Sequence, residues 1–326
     1  MDDDMNKTIG VLTSGGDAPG MNTVIRAVVR SAIFHGMRVY GIERGYTGLI
    51  NENIYEMNIR SVSEILHRGG TMLYTSRCPE FMTEEGVKKG AEVARKYGLD
   101  AIVCIGGDGT FKGARALSAE GIPCIGIPCT IDNDIACSDY TIGFDTAMNT
   151  AMEMIDKLRD TTQSHHRCSV VQVMGHRAGY LALNTGIACG AMAILLPEIP
   201  FDIQRDVVDR MKRTQLTGKK HFIVVVAEGC GDPFKITDEI QKSFPEIDTR
   251  LTILGYVQRG GSPSIRDRIT STIMGAKAVQ LILDDKYDRV IAERGGQIVD
   301  LDINEALAMT KSIDPKLLEM TLRISI

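Results

Sequence analysis

The chain has 326 residues, 44% of them hydrophobic and 24% charged, the make-up of an ordinary folded protein with room for two cores. Its formal net charge of -5 argues against non-specific nucleic-acid binding, although local arginines can still hold an anionic substrate. No apolar run approaches the ~20 residues of a membrane span, and the acidic start Met1-Asp2-Asp3-Asp4 lacks the basic-then-apolar order of an export signal, so no membrane contact and a cytoplasmic location are expected.

Thr8 to Thr13 reads as a buried strand, followed by the turn Ser14-Gly15-Gly16-Asp17-Ala18-Pro19-Gly20 and a helix from about Met21 to His35. Arg38 to Ile42 is a second strand, Thr83 to Tyr97 a helix, Ala101 to Ile105 a strand, Thr110 to Glu120 a helix and Cys124 to Pro128 a strand. A long helical pattern runs from Phe144 to about Thr161. The alternation then restarts with strand Ser169 to Met174, helix Ala178 to Ala188, strand Ala193 to Leu196, helix Gln204 to Thr214 and strand His221 to Ala227. Repeated βαβ units imply an α/β fold with mostly parallel sheets covered on both faces. The restart suggests a second sheet. The 8 cysteines include no CxxC pair, and Cys104 and Cys124 fall in apolar runs, so reduced thiols packed as small hydrophobes are expected.

Two turns carry the chemistry. Gly106-Gly107-Asp108-Gly109-Thr110 follows an apolar strand, where glycines let backbone N–H groups approach a polyphosphate and the next helix offers its positive end. Thr130-Ile131-Asp132-Asn133-Asp134 follows the next strand and sets two carboxylates at i and i+2. One can take a hydroxyl proton while the other holds a metal or orients the first, which is what phosphoryl transfer to an alcohol needs. Taken singly, the glycine turn fits an ordinary strand-to-helix connection, the carboxylates fit a cap and a solvated turn, and the arginines fit surface charges. Gly15-Gly16-Asp17 echoes Gly106-Gly107-Asp108, which suggests two phosphate-facing turns in one domain. Arg259 enters the loop Gln258-Arg259-Gly260-Gly261-Ser262-Pro263, where two glycines admit a close approach.

These segments, with Gly10 to Asn22, Asp139-Tyr140-Thr141-Ile142-Gly143-Phe144 and Val173-Met174-Gly175, resemble the bacterial ATP-dependent 6-phosphofructokinases over nearly the whole chain. The resemblance implies two Rossmann-like three-layer αβα domains with the active site in the cleft between them. Residues 1-143 plus 257-306 would form the larger, ATP-binding domain, and 144-256 plus 307-326 the smaller, sugar-phosphate-binding domain. It implies glycolytic transfer of a phosphoryl group from ATP, the co-substrate, to the 1-hydroxyl of fructose 6-phosphate. Asp132 would be the base, Thr130 and Arg77 would stabilise the transferring group, and Asp108 with Asp134 would serve Mg²⁺. Gly16, Arg77, Cys78, Gly107, Asp108, Gly109 and Thr110 would line the ATP site. Arg167, Met174, Gly175, Glu228, Arg250 and Arg259, with Thr130 and Asp132, would hold the sugar phosphate. Arg167 and Arg250 would reach in from a neighbouring subunit, implying a homotetramer with shared active sites.

Departures from the family pattern concentrate at a few positions. Cys129 stands where glycine is usual and where pyrophosphate-dependent relatives carry lysine, while Gly109 keeps the ATP-type turn. His176 replaces an arginine and Tyr256 a sugar-binding histidine, so weakened catalysis or altered affinity is expected, with Arg177 as a substitute for the arginine. Arg26, Arg30, Arg159, Lys219 and Lys220 match the family's basic effector shell, which a solvated interface face explains equally well. Ile59, Met192 and Thr217 replace an arginine, a glutamate and a lysine there, so weak or absent ADP activation is expected. A pyrophosphate-dependent enzyme, a kinase of the group acting on NAD or lipids, and a regulatory paralogous subunit are the competing readings. The intact Asp108, Asp132, Asp134, Arg77 and Arg167 speak against the last.

Overall fold

The computed structural model describes residues 7–324, and its chain divides into two compact units. One takes the chain up to Ile131, then Ile135–Thr146 and Arg259–Lys311; the other takes Asp132–Asp134, Ala147–Gln258 and the chain from Ser312 on. In order, the chain forms β1 (Thr8–Thr13), α1 (Met21–Phe34), β2 (Arg38–Ile42), α2 (Tyr46–Ile50), β3 (Ile54–Met57), α3 (Glu84–Lys96) and β4 (Ala101–Gly106). Next come α4 (Asp108–Ala119), β5 (Cys124–Pro128), α5 (Phe144–His165), β6 (Cys168–Val173), α6 (Tyr180–Ala188) and β7 (Ala193–Leu195). Then follow α7 (Asp209–Leu216), β8 (Phe222–Ala227), α8 (Pro233–Ser243), β9 (Thr249–Ile253) and α9 (Ile265–Leu283). The chain closes with β10 (Arg289–Arg294), β11 (Gln297–Asp302), α10 (Ile303–Ala308) and α11 (Pro315–Ile324).

The first unit is built on a sheet of order β11-β10-β5-β4-β1-β2-β3, parallel inside, with the edge strands β3 and β11 antiparallel. Every residue of β1, β4 and β5 is buried, which is why their sequences read as unbroken apolar runs rather than alternations. On one face Leu12, Ile102, Cys104 and Cys124 pack with Phe111 and Leu117 of α4 and with α2, α3 and α10. Elsewhere in this unit α1 and α9 pair closely because Gly275 has no side chain: a Cβ there would stand 2.6 Å from that of Ala27. Helix α3 follows ordinary helix chemistry, with the Thr83 hydroxyl accepting from Gly86 N–H, acids in its first turn and bases in its last.

The second unit has four parallel strands in the order β7-β8-β6-β9. Val170, Val224 and Val226 point to one face and pack with Val207, Met211, Ile236 and Ile240 of the α7 and α8 side. Gly186 of α6 lies against the Ile194 side chain. The turn Gln204–Val208, expected as α-helix, is instead a π-helical turn that leads into α7. Among the described residues no helix is long and apolar enough to cross a membrane.

Candidate active site

From β1 the chain moves to one side of the first sheet through β2, and from β4 to the other through β5, so the strand order reverses at the β1–β4 pair. Ligands of open parallel sheets bind beyond the strand carboxyl ends at such a reversal. Both glycine turns emerge there, since Thr13 and Ile105 stand opposite one another at the strand ends. Ser14 N–H donates to Ile105 O at 3.0 Å, Cys129 N–H to Gly106 O at 3.0 Å, and the Thr110 hydroxyl to Ser14 O at 3.1 Å. These bonds tie three consecutive strand ends together. Gly106 makes that approach feasible, because a Cβ there would fall 2.4 Å from Ser14 O and 2.3 Å from Thr110 Oγ1.

Gly107 and Gly109 have the opposite surroundings: among the described residues nothing lies within 4 Å of a Cβ built on either. Helix α4 begins at Asp108, two residues before the expected start, and Gly107 offers no side-chain cap. The positive end of α4 is therefore left open to an anion. Behind it, the buried Tyr46 hydroxyl donates to Thr110 O at 2.5 Å, and its ring stacks on Phe81 with centroids 4.1 Å apart. Burial raises the Tyr46 pKa, which keeps the phenol a neutral donor. On the first turn, the Thr75 hydroxyl donates to Gly15 O at 2.7 Å. Arg259 also packs on this turn: its Nη1 donates to Asp17 O at 3.0 Å and stands 2.5 Å from where a Gly16 Cβ would be. Arg77 is exposed, and the neighbouring Cys78 is half-buried against the core that contains Tyr46 and Phe81.

The turn after β5 is strapped from outside. Cys129 bridges in parallel to Ile142, Ile142 N–H donates to Pro128 O at 3.1 Å, and the Thr141 hydroxyl donates to Thr130 O at 2.7 Å. Cys129 is buried, and burial, with the Asp267 and Asp17 carboxylates nearby, pushes its thiol pKa well up. The thiol thus stays neutral. Asp132 and Asn133 are buried and Asp134 half-buried, and Asn133 turns the chain with φ at 51°, a left-handed value that asparagine tolerates. Asp132–Asp134 belongs by its contacts to the second unit, where Asp134 lies near enough to Tyr180 to act on its hydroxyl. Burial first, then Glu198 and Asp134, push that phenol up to about 12.

In the second unit, the turn after β6 and the segment after β8 come together. Met174 N–H donates to Gln258 Oε1 at 3.3 Å, and His176 N–H donates to the Glu228 carboxylate. Gly175 has φ at 141°, and a Cβ there would press on Ala178 O at 2.5 Å. His176 and Arg177 are exposed, and Tyr256 is 82% exposed. Arg167 and Arg250 lie elsewhere. Both bind the Asp248 carboxylate through Nε, at 2.7 Å and 3.0 Å, at the amino ends of β6 and β9. The length of β6, roughly 17–20 Å for six residues, separates them from Met174, Gly175, His176 and Glu228 at its other end. Asp248 was not anticipated, although an acid two residues before Arg250 is a visible signal.

The basic residues assigned to an effector shell fall in both units. Arg26 and Arg30 stand one turn apart on α1, where burial and then Arg30 lower the Arg26 pKa; Arg30 Nε is buried with no hydrogen-bond partner among the described residues. In the second unit an Arg159 Nη2 donates to Cys189 O, and burial with Arg159 lowers the Lys219 pKa. Among the described residues no three His, Cys, Asp or Glu side chains gather as a protein-built metal cage. Asp108 and Asp134 nevertheless offer the hard oxygens that suit Mg²⁺, which takes one or two carboxylates and fills its shell with water and phosphate.

A parallel α/β sheet with an open helix end and paired glycine turns at its strand reversal defines a phosphate-binding protein. The model of the Phosphofructokinase family matches residues 8–282, and the chain belongs to that family. The ATP-dependent 6-phosphofructokinase of Clostridioides difficile (strain 630) is 54% identical to it over 98% of this chain and 100% of its own length. That of Bacillus thuringiensis (strain Al Hakam) is 52% identical with the same coverage. Among solved structures, phosphofructokinase from Saccharomyces cerevisiae superposes with a TM-score of 0.86 at 36% identity, covering 92% of this chain and 44% of that longer one. The pyrophosphate-dependent phosphofructokinase from Marinobacter aquaeolei reaches a TM-score of 0.85 over 97% of this chain and 91% of its own, but at 20% identity it shares the fold alone.

Proposed function

We propose that this protein transfers the γ-phosphoryl group of Mg-ATP to the 1-hydroxyl of D-fructose 6-phosphate, giving fructose 1,6-bisphosphate and ADP in cytoplasmic glycolysis. The observation that carries the reading is the open positive end of α4 at Gly107–Thr110, bonded through Gly106 to the strand end that leads into Asp132. Full-length relatives at 52–54% identity with this activity in their names support the same reading. The N–H groups of Gly107 to Gly109, with Gly16, Cys78 and Thr110 lining the same site, hold the nucleotide, and Asp132 takes the hydroxyl proton. Thr130 and Arg77 steady the group in transit. Asp108 and Asp134 would hold Mg²⁺, which when bound supplies positive charge against the phosphoryl oxygens.

Met174, Gly175, His176, Glu228 and Tyr256 receive the sugar phosphate. Arg259, seated on the turn after β1, serves the phosphate-facing side of the same reaction as well. Because Arg167 and Arg250 sit at the far end of β6 from the Met174–His176 turn, they are offered to a second copy of the chain, as a homotetramer with shared sites requires. ATP is favoured over pyrophosphate because Cys129 is neutral and buried and Gly109 faces open space, with no lysine charge to replace a nucleotide's contacts. Weak ADP control is supported too: Met192 is buried and cannot serve a metal, and the Thr217 hydroxyl is engaged with Thr214 O at 2.7 Å.

The test is fructose 1,6-bisphosphate formation with Mg²⁺, supplied in parallel with ATP or pyrophosphate. Turnover with ATP is expected, and Asp132→Ser should lower kcat by about 10²–10⁴-fold, the worth of a general base. Unchanged turnover in that variant would remove Asp132 from the role.

A further inference from the structure

Asp267 is a fully buried carboxylate in the first turn of α9 that no assignment above uses. Its Oδ1 accepts from the Tyr140 hydroxyl and from Gly143 N–H at 2.7 Å. Its Oδ2 accepts from the Thr146 hydroxyl, from Thr146 N–H at 2.9 Å and from the Ser264 hydroxyl at 3.5 Å. Only an ionised carboxylate presents acceptors alone to such a set, since an amide would turn two N–H groups toward other donors. Burial pushes the Asp267 pKa up, while these hydrogen bonds pull against that shift. A buried charge held by so many donors costs more to disturb than a surface one.

Apart from Ser264, the helix cap, the partners of Asp267 share one short segment, Tyr140 to Thr146, which is the strap laid along the end of β5. Thr141, between Tyr140 and Gly143, donates to Thr130 O, and Ile142 donates to Pro128 O. Gly143, whose N–H binds Asp267, has φ at 101°, so the strap turns where the carboxylate grips it. Asp267 also lies close enough to raise the thiol pKa of Cys129, the residue before Thr130. The geometry points to Asp267 as the positioning residue of the phosphoryl-transfer turn: it fixes the strap, and the strap, through Thr141, fixes the Thr130 carbonyl and the entry to Asp132. The inference rests on the reading of that turn as the catalytic one. Asp267 touches no substrate and acts through Tyr140, Gly143 and Thr146.

The experiment measures kcat, both KM values and Tm for Asp267→Asn and Thr141→Val in the full-length protein, assayed well below Tm. Loosening a reacting group by an ångström costs up to about a hundredfold, so each variant should lower kcat by roughly ten- to a hundredfold while leaving the KM for ATP within about twofold. The double variant should be no slower than the worse single one, because both changes cut one path. Wild-type kcat with a lowered Tm in either variant would overturn the inference and leave Asp267 a purely structural clamp. If Asp267→Asn does not fold, Thr141→Val decides alone, since it removes one hydroxyl and leaves the clamp whole. Asp132→Ser separates the two levels: a collapse there with unchanged kcat in both strap variants sinks only this inference, whereas no effect there sinks the reading of the turn.

Discussion

Gly16 shows how a single missing side chain shapes the site. A Cβ there would meet the Arg259 guanidinium at 2.5 Å, the far end of a flexible chain, so the fold can accept Gly16→Ala while the guanidinium cannot keep its place. We expect Tm to hold and the KM for fructose 6-phosphate to rise roughly tenfold, the equivalent of one lost charge-assisted hydrogen bond; titration of the variant with the sugar phosphate checks this. His221 supplies a pH dependence. Burial, then Lys219, Arg159 and His166, lower its pKa below the ordinary 6.5, so the folded state binds fewer protons than the unfolded state below that pH. Its contribution is therefore intact above about pH 6.5 and is lost as the pH falls through the depressed value. His221→Gln should flatten the acid side of the Tm-against-pH curve relative to the parent; an identical slope in the two proteins would count against this. The turns after β1 and β4 were legible in sequence as strand-to-helix connections, because glycine runs that follow unbroken apolar strands mark tight turns. Asp267 was not, since a lone aspartate in a polar helix start looks like any cap until its five donors are seen.

Elements were legible to the degree that burial was uniform along them. The unbroken apolar runs of β1, β4, β5 and β8 made those strands plain, and their bounds agree with expectation within a residue. Helix α9 was missed because Ile265, Ile269 and Ile273 are exposed, which puts apolar residues on the solvent side and erases the 3.6-residue contrast. Strand β11 was missed for a related reason: its residues are half-buried or exposed throughout, so no alternation survives. Within β5, Gly126 is fitted to the element above it. A Cβ there would stand 2.8 Å from two carbons of the Phe111 ring on α4. Gly126→Ala should overpack this contact and destabilise by about 1–3 kcal/mol, readable in denaturant unfolding. Since Phe111 lies three residues past Asp108 on the helix that opens toward phosphate, nucleotide affinity should weaken in the same variant.

At the scale of the molecule, the division into units does not follow the chain in blocks: the path passes between them five times, at Ile131, Asp134, Thr146, Gln258 and Lys311. No linker-like segment marks these crossings, and that absence is itself the sign in the sequence that there is more than one of them. They have a consequence for synthesis. Strand β5 pairs on its outer side with β10, more than a hundred residues later, and β10 in turn pairs with β11. As the chain leaves the ribosome, the first sheet must therefore wait with β5 as a bare edge while all of β6 to β9 is made. An unpaired apolar edge strand is a template for wrong pairing between nascent copies. A fragment ending at Gln258 holds that waiting state indefinitely. It should be recovered mainly as aggregate, whereas supplying residues 259–326 as a separate chain during refolding should restore soluble protein; light scattering with and without that peptide distinguishes the outcomes. The last fifth of the chain thus acts as the seal on the first sheet, and the cell must shelter that unfinished sheet for the seconds it takes to arrive.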